Sequence, residues 1–234
     1  MNPNDPNVVM VEQVAAGLGT LLTETVFVGG AVTGFLITDP AQPAIRPTDD
    51  VDVLMEAHTR RSYNELEATL RGLEGFEHDM SEDAPICRWR YRGVSVDVMP
   101  TNPEPLGFAN RWYPMAFDTA RPLSLPSGLV IRLILPPVFL GTKIEAFRGR
   151  GRGDFRASRD LEDLVAVIDG RASIVEEVRV SPEELKAYLR ENVSSFLANP
   201  DFAEALAGHL PPDAASQSRL PDLLATLRQL ADEE

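Results

Sequence analysis

The chain has 234 residues, 44% apolar and 25% charged, a balance that excludes wholesale disorder and suits one large domain or two small ones. Its formal net charge of −14 opposes broad non-specific nucleic-acid binding. No apolar run reaches the length of a bilayer span, and the single cysteine, Cys87, excludes an internal disulfide and a Cys-based zinc site. The polar start, Met1 to Asn7, lacks the basic region of a secretory signal, so a reducing cytoplasm is the expected location.

Apolar residues at helical spacing predict an amphipathic helix over 8–23 (Val8, Val11, Val14, Leu18, Leu21, Leu22). Thr25 to Val28 reads as a strand closed by Gly29-Gly30, followed by a short helix over 31–38 and a loop from Asp39 to Thr48. Val51 to Met55 is a strand with interleaved carboxylates. Ser62 then opens a helix as N-cap, with Glu65 as its capping-box partner and Gly72 and Gly75 at the end. Ile86 to Arg92 and Val94 to Met99 are strand-like and separated by Gly93 alone, as in a hairpin. Eight of the 19 prolines fall in 100–137, where short strands fit at Met115 to Thr119 and Leu129 to Leu135.

Beyond Pro136-Pro137 the pattern becomes helical, over 137–148, 158–168, 181–198, 201–208 and 217–231. Ser181 is placed as an N-cap ahead of Pro182. No internal repeat or heptad run is visible. The expectation is an α+β chain, with a mixed α/β domain over 1–135 and a helical domain over 136–234. Residues 140–160 form a basic island, with six basic and three acidic residues in an otherwise acidic chain. A solvated Arg-rich loop and a phosphate-facing patch both fit it. Of 22 basic residues only Lys143 and Lys186 are lysines, and Lys143 lies in the island.

The chemistry concentrates in three places. Val26 to Gly30 is a strand ending in Gly-Gly, where backbone N–H groups are able to approach a phosphate. Thr48-Asp-Asp-Val-Asp-Val53 puts Asp50 and Asp52 on one face of a strand, because side chains alternate. Asp97 lies among valines on a later strand. Carboxylates converging from adjacent strands repel one another unless a cation joins them, and hard oxygens select Mg²⁺ or Mn²⁺. Two such ions are able to clamp the attacking and leaving oxygens of a phosphoryl displacement.

The order strand, Gly-Gly, Asp-x-Asp strand, Asp strand resembles the DNA polymerase beta-like nucleotidyltransferase superfamily over roughly 24–99. The stretch from Gly30 to Asp50 is longer than the superfamily pattern, which marks Asp39 to Pro47 as an insertion. Arg46-Pro-Thr-Asp-Asp-Val-Asp52, Lys143-Ile-Glu-Ala146 and Arg159-Asp-Leu-Glu-Asp-Leu164 extend the likeness to the AbiEii-type group, which includes MenT-type toxins, and to about residue 168. The resemblance implies a mixed sheet with flanking helices. It implies transfer of an NMP from an NTP to a hydroxyl, with Mg²⁺ or Mn²⁺ as cofactor. Asp50, Asp52 and Asp97 would hold the metals, and Asp97 would also help deprotonate the acceptor. Gly29, Gly30, Arg46, Thr48 and Lys143 would meet the nucleotide, and Asp160 would add a further catalytic carboxylate. The helical region would then contribute to the active-site cleft. The acceptor would be tRNA or another RNA, or a protein, in the role of a toxin with a cognate antitoxin and no membrane partner. For Lys143 a surface lysine, and for Asp160 and Asp163 a pair favoured by the helix dipole, remain alternatives.

Other functions compete. A sugar-nucleotide glycosyltransferase also uses Asp-x-Asp with a divalent ion, but lacks the Gly-Gly turn upstream. A non-catalytic nucleotide-binding regulatory module of the same fold is opposed by the three intact aspartates. Residues 171–234 match no pattern. His58, His78 and His209 are scattered, and Trp89, Tyr91, Trp112 and Tyr113 fit packing better than base stacking.

Overall fold

The computed structural model describes residues 5, 7–43, 45–150 and 153–232. The strands are β1 (Thr25–Val28), β2 (Asp50–Met55), β3 (Phe76–His78), β4 (Arg88–Tyr91), β5 (Val94–Pro100), β6 (Arg121–Ser124) and β7 (Val130–Leu133). The helices are α1 (Val8–Leu18), α2 (Thr33–Leu36), α3 (Arg60–Gly72), α4 (Tyr113–Thr119), α5 (Pro136–Arg150), α6 (Arg159–Gly170), α7 (Ile174–Arg179), α8 (Glu183–Leu197), α9 (Pro200–Leu206), α10 (Ala214–Gln217) and α11 (Leu220–Ala231). Among the described residues no helix is long and apolar enough to cross a membrane.

Among the described residues the chain divides into two compact units, those up to 32 with 46–135, and those of 33–45 with 136–232. Thr33–Ile45 runs with the helical unit, because Thr38 and Asp39 donate backbone hydrogen bonds to Gly170 and Arg171 donates to the Leu36 carbonyl. The first unit is a mixed seven-stranded sheet in the order β3-β4-β5-β2-β1-β7-β6. β1 pairs antiparallel with β2, and β2 pairs parallel with β5. α1 covers β2 and β5 with Val11, Val14 and Leu18, and Tyr63 of α3 donates its hydroxyl to the Val98 carbonyl at 2.9 Å. Val26, Phe27, Val51, Val53, Val96, Val98 and Trp89 are fully buried in its core. The second unit is all helical. Phe147, Phe155, Phe196 and Phe202 interlock near 5.5 Å at its centre.

Several local expectations are corrected. Met115 to Thr119 is helix, not strand: Pro114 sits in the first turn of α4, and the Thr119 hydroxyl bonds back to the Met115 carbonyl. The cap of α3 is Thr59 rather than Ser62. Thr59 is extended and accepts from the Ser62 N–H, and Ser62 Oγ accepts from the Thr59 N–H, so the capping box is shifted by three residues. Ser181 does not cap α8; its hydroxyl bonds the Glu177 carbonyl and Pro182 takes the cap position. The first helix yields to a 3-10 segment, Gly19–Glu24, where Gly19 turns to φ +53°.

Candidate functional site

β1, β2 and β5 bring the strand residues together. Val28 is registered with Asp52, and Asp52 with Asp97, so the end of β1 and the two aspartates meet on neighbouring strands. Asp50 lies two residues before Asp52 and shares its face; the intervening Val51 is buried in the core. Gly29 follows Val28 with φ +72°, a left-handed conformation natural to glycine. A Cβ there would collide with the Asp52 carboxylate. The glycine is therefore needed twice, for the turn and for the approach. Gly30 begins a short 3-10 turn, Gly30–Val32.

A residue outside the sequence-predicted site set stands at the centre of this group. Arg88 on β4 is directly opposite Asp97 on β5. Its Nε donates to Asp97 Oδ1 and its Nη2 to Asp97 Oδ2, both at 2.8 Å, and Nη2 also donates to Asp50 Oδ2 at 2.7 Å. The Asp97 hydrogen bonds push the guanidinium pKa still higher, so the charge is permanent. Next to it, burial and then the Asp97 charge push the Cys87 thiol up to about 12, which keeps it protonated at neutral pH and unsuited to nucleophilic work.

Arg46 and Thr48 are held by a second residue that the sequence did not single out. Asn7 is fully buried; its Nδ2 donates to the Arg46 carbonyl at 3.1 Å and its Oδ1 accepts from the Thr48 N–H at 2.9 Å. The Thr48 hydroxyl reaches the Asp50 carbonyl at 3.1 Å. Asn7 therefore fixes the segment that leads into Asp50.

Hard carboxylate oxygens on one sheet face suit a divalent ion in their chemistry. Among the described residues no three His, Cys, Asp or Glu side chains are gathered about one point as a metal needs. Between Asp50 and Asp97 the guanidinium of Arg88 supplies a positive charge.

Lys143 and Asp160 belong to the helical unit. Lys143 is buried, which removes the surface-lysine alternative; its Nζ lies 2.6 Å from Asp163 and 3.5 Å from Asp160. Arg150 closes on Asp160 with both Nε and Nη2. Burial works against the ionised Asp160, but the Arg150 hydrogen bonds and the charges of Lys143 and Arg150 outweigh it and hold its pKa below the usual value. Elsewhere in the basic island Arg148 donates to Asn192 and Arg156 pairs with Glu204. Arg152 and Gly151 lie outside the described residues.

No protein-family model matches the chain, and no curated protein matches it. Solved structures do. An antigenic nucleotidyltransferase-like protein from Paracoccidioides brasiliensis is 23% identical, over 88% of this chain and 94% of that one, with a TM-score of 0.51. ANT(2")-Ia, solved with adenylyl-2"-tobramycin, is 14% identical over 81% of this chain and 98% of that one, at a TM-score of 0.44. JHP933 from Helicobacter pylori is 11% identical over 95% and 86%, at 0.43. The chain thus has a nucleotidyltransferase-like fold: an α+β architecture with a seven-stranded mixed sheet and flanking helices.

Proposed function

We propose that the protein is a metal-dependent nucleotidyltransferase that moves an NMP from an NTP to a hydroxyl acceptor. The observation that carries this reading is the junction of Gly29 with Asp52, Asp97 and Asp50 on one sheet face, in a fold shared with a nucleotidyltransferase-like protein. Asp50, Asp52 and Asp97 are the residues that would hold Mg²⁺ or Mn²⁺, which when bound supplies Lewis acidity at the phosphoryl group. The half-buried backbone at Gly29-Gly30, which carries no side chain of its own, would receive the polyphosphate. Asp97 accepts the acceptor's proton. Asn7 holds Arg46 and Thr48 in register with Asp50.

Lys143 and Asp160 enter the machinery through the AbiEii-type resemblance. The same resemblance favours an RNA or protein acceptor and a toxin role with a cognate antitoxin. Incubation with four labelled NTPs, Mg²⁺, and total cellular RNA and protein names the acceptor by what becomes labelled. Asp52→Asn lowers labelling by about 10²–10³-fold, the scale for loss of one electrostatic stabiliser, and leaves the fold intact. Undiminished labelling by Asp52→Asn overturns the carboxylate assignment. Lys143→Arg, which keeps the charge, tests the second group: turnover unchanged from the parent removes Lys143 from the reaction.

A further inference from the structure

The last carbonyls of an α-helix have no partner within it and must find donors elsewhere. At the end of α6 the donors come from a segment far away in the chain, 36–42. The Gly170 carbonyl accepts from the Thr38 N–H at 2.9 Å and from the Asp39 N–H at 3.0 Å. The capping is mutual: Arg171 Nη1 donates to the carbonyl of Leu36, the last residue of α2, at 2.7 Å. Asp169, whose side chain is buried, accepts from Gln42 Nε2 at 2.7 Å and from Arg219 Nε at 3.0 Å. Gly170 is buried and approaches most closely. A Cβ on it would lie 2.8 Å from Ile37 Cγ2 and 3.0 Å from Gln42 Cγ.

The docked segment joins the Gly29-Gly30 turn without slack. The 3-10 turn Gly30–Val32 runs directly into α2, Thr33–Leu36, and Ala31, Val32, Thr33 and Leu36 are all buried. A packed helical run passes on a displacement of its end, where an irregular loop would absorb it. The carboxylates are not tied to the dock in this way. Between Ile45 and Asp49 the chain is irregular, and Asn7 pins it at Arg46 and Thr48. Asp52 and Asp97 are fixed by strand register.

We propose that the end of α6, Asp169-Gly170-Arg171, is a positioning element for the Gly29-Gly30 turn and thereby sets the affinity for an NTP. The inference rests on the nucleotidyltransferase reading above, in which that turn receives the polyphosphate. The three residues act through the segment they dock: Gly170 through Thr38 and Asp39, Arg171 through Leu36, and Asp169 through Gln42. Gly170 is the most sensitive of them, because any side chain there pushes Ile37 and Gln42 away. Backbone N–H groups bind a phosphate when they converge on it. A turn that must first be ordered binds it less tightly. A loosened dock therefore weakens NTP binding and leaves Asp50, Asp52 and Asp97 in place.

The test combines amide hydrogen exchange with NTP binding on the full chain. Gly170→Ala is expected to speed exchange about fivefold, the scale of one weakened hydrogen bond, at Thr38 and Asp39 and also across 31–36. Val96 and Val98 on β5 report any global loss of stability, and their exchange should not change. Affinity for a non-hydrolysable NTP, measured for each of the four bases, should fall by a similar factor. Gln42→Ala, at a half-buried residue, breaks the same dock more mildly and serves if Gly170→Ala does not fold. Faster exchange confined to 38–42 overturns the proposal. So does undiminished NTP affinity in a variant whose 31–36 amides exchange faster. Both results leave the nucleotidyltransferase reading standing. A parent that binds no NTP at millimolar concentration overturns that reading and the proposal with it.

Discussion

Two carboxylate–cation clusters, one in each unit, are built on different terms. In the sheet unit Arg88 serves Asp50 and Asp97, with Asp52 alongside, and the Arg88 and Asp50 side chains are 26% and 32% exposed. In the helical unit Lys143 and Arg150 face Asp160 and Asp163, with the Lys143, Asp160 and Asp163 side chains all below 10% exposed. A buried cluster must balance, because an unpaired charge in the interior costs several kcal/mol. A half-exposed one is less constrained, since water solvates its charges. The buried cluster acts as a fastener.

The largest effect comes from breaking the fastener. Lys143→Met keeps most of the volume but leaves Asp163 buried without its 2.6 Å partner. Unfolding in urea should show a loss of about 3–5 kcal/mol. Arg88→Gln removes a cation with the same number of carboxylate partners, yet water reaches the group, so its loss should stay below about 1 kcal/mol. Equal losses in the two variants would mean that the sheet cluster is structural as well.

Much of this was legible in the sequence, and what was not has physical causes. β1 falls where the β-branched run ends at Gly-Gly, and β2 begins one residue before its expected start. The strand alternation that pairs Asp50 with Asp52 is a local property and needs no tertiary knowledge. Arg88 was within reach too. A two-residue turn at Arg92-Gly93, with φ +47° and +88°, fixes the hairpin register and places position 88 opposite 97. Asn7 was out of reach, because its partners lie 39 and 41 residues away and only the folded chain brings them together. β3, β6 and α7 are too short for periodicity to declare. Lys143 lies in a basic stretch, while its partners come from the next helix, so its burial is no local property.

A middle-sized effect sharpens the sheet cluster by pressing on Asp52 without removing it. Gly29→Ala imposes left-handed strain of about 1–2 kcal/mol and drives a methyl into the Asp52 carboxylate. Gly93→Ala carries the strain alone, since its Cβ would meet nothing within 4 Å. Thermal unfolding should show both variants destabilised and Gly29→Ala the more so. Mn²⁺ binding should fall only in Gly29→Ala. Matching losses of Mn²⁺ affinity would separate the glycine from the carboxylates.

The smallest effect lies in acid and tests the helical cluster from its anionic side. The folded-state pKa of Asp160 is held below the ordinary 3.8 of an aspartate, although burial alone would raise it. As pH falls through 3.8 the unfolded chain takes up this proton first, so the unfolded state gains. The stabilisation from Asp160 is fully present above that value and disappears as pH drops through the folded pKa. Because burial offsets part of the gain from Arg150 and Lys143, the change is modest. Urea midpoints between about pH 5 and pH 2.5 should decline less steeply in Asp160→Asn than in the parent. Asparagine keeps the shape and an acceptor for Arg150, and it has no proton to take up in this range. Parallel declines would show that Asp160 titrates alike in both states, and that the Lys143 and Arg150 contacts do not discriminate between its charged and neutral forms. The helical cluster would then hold by geometry alone, and the contrast with the sheet would rest on exposure rather than on charge.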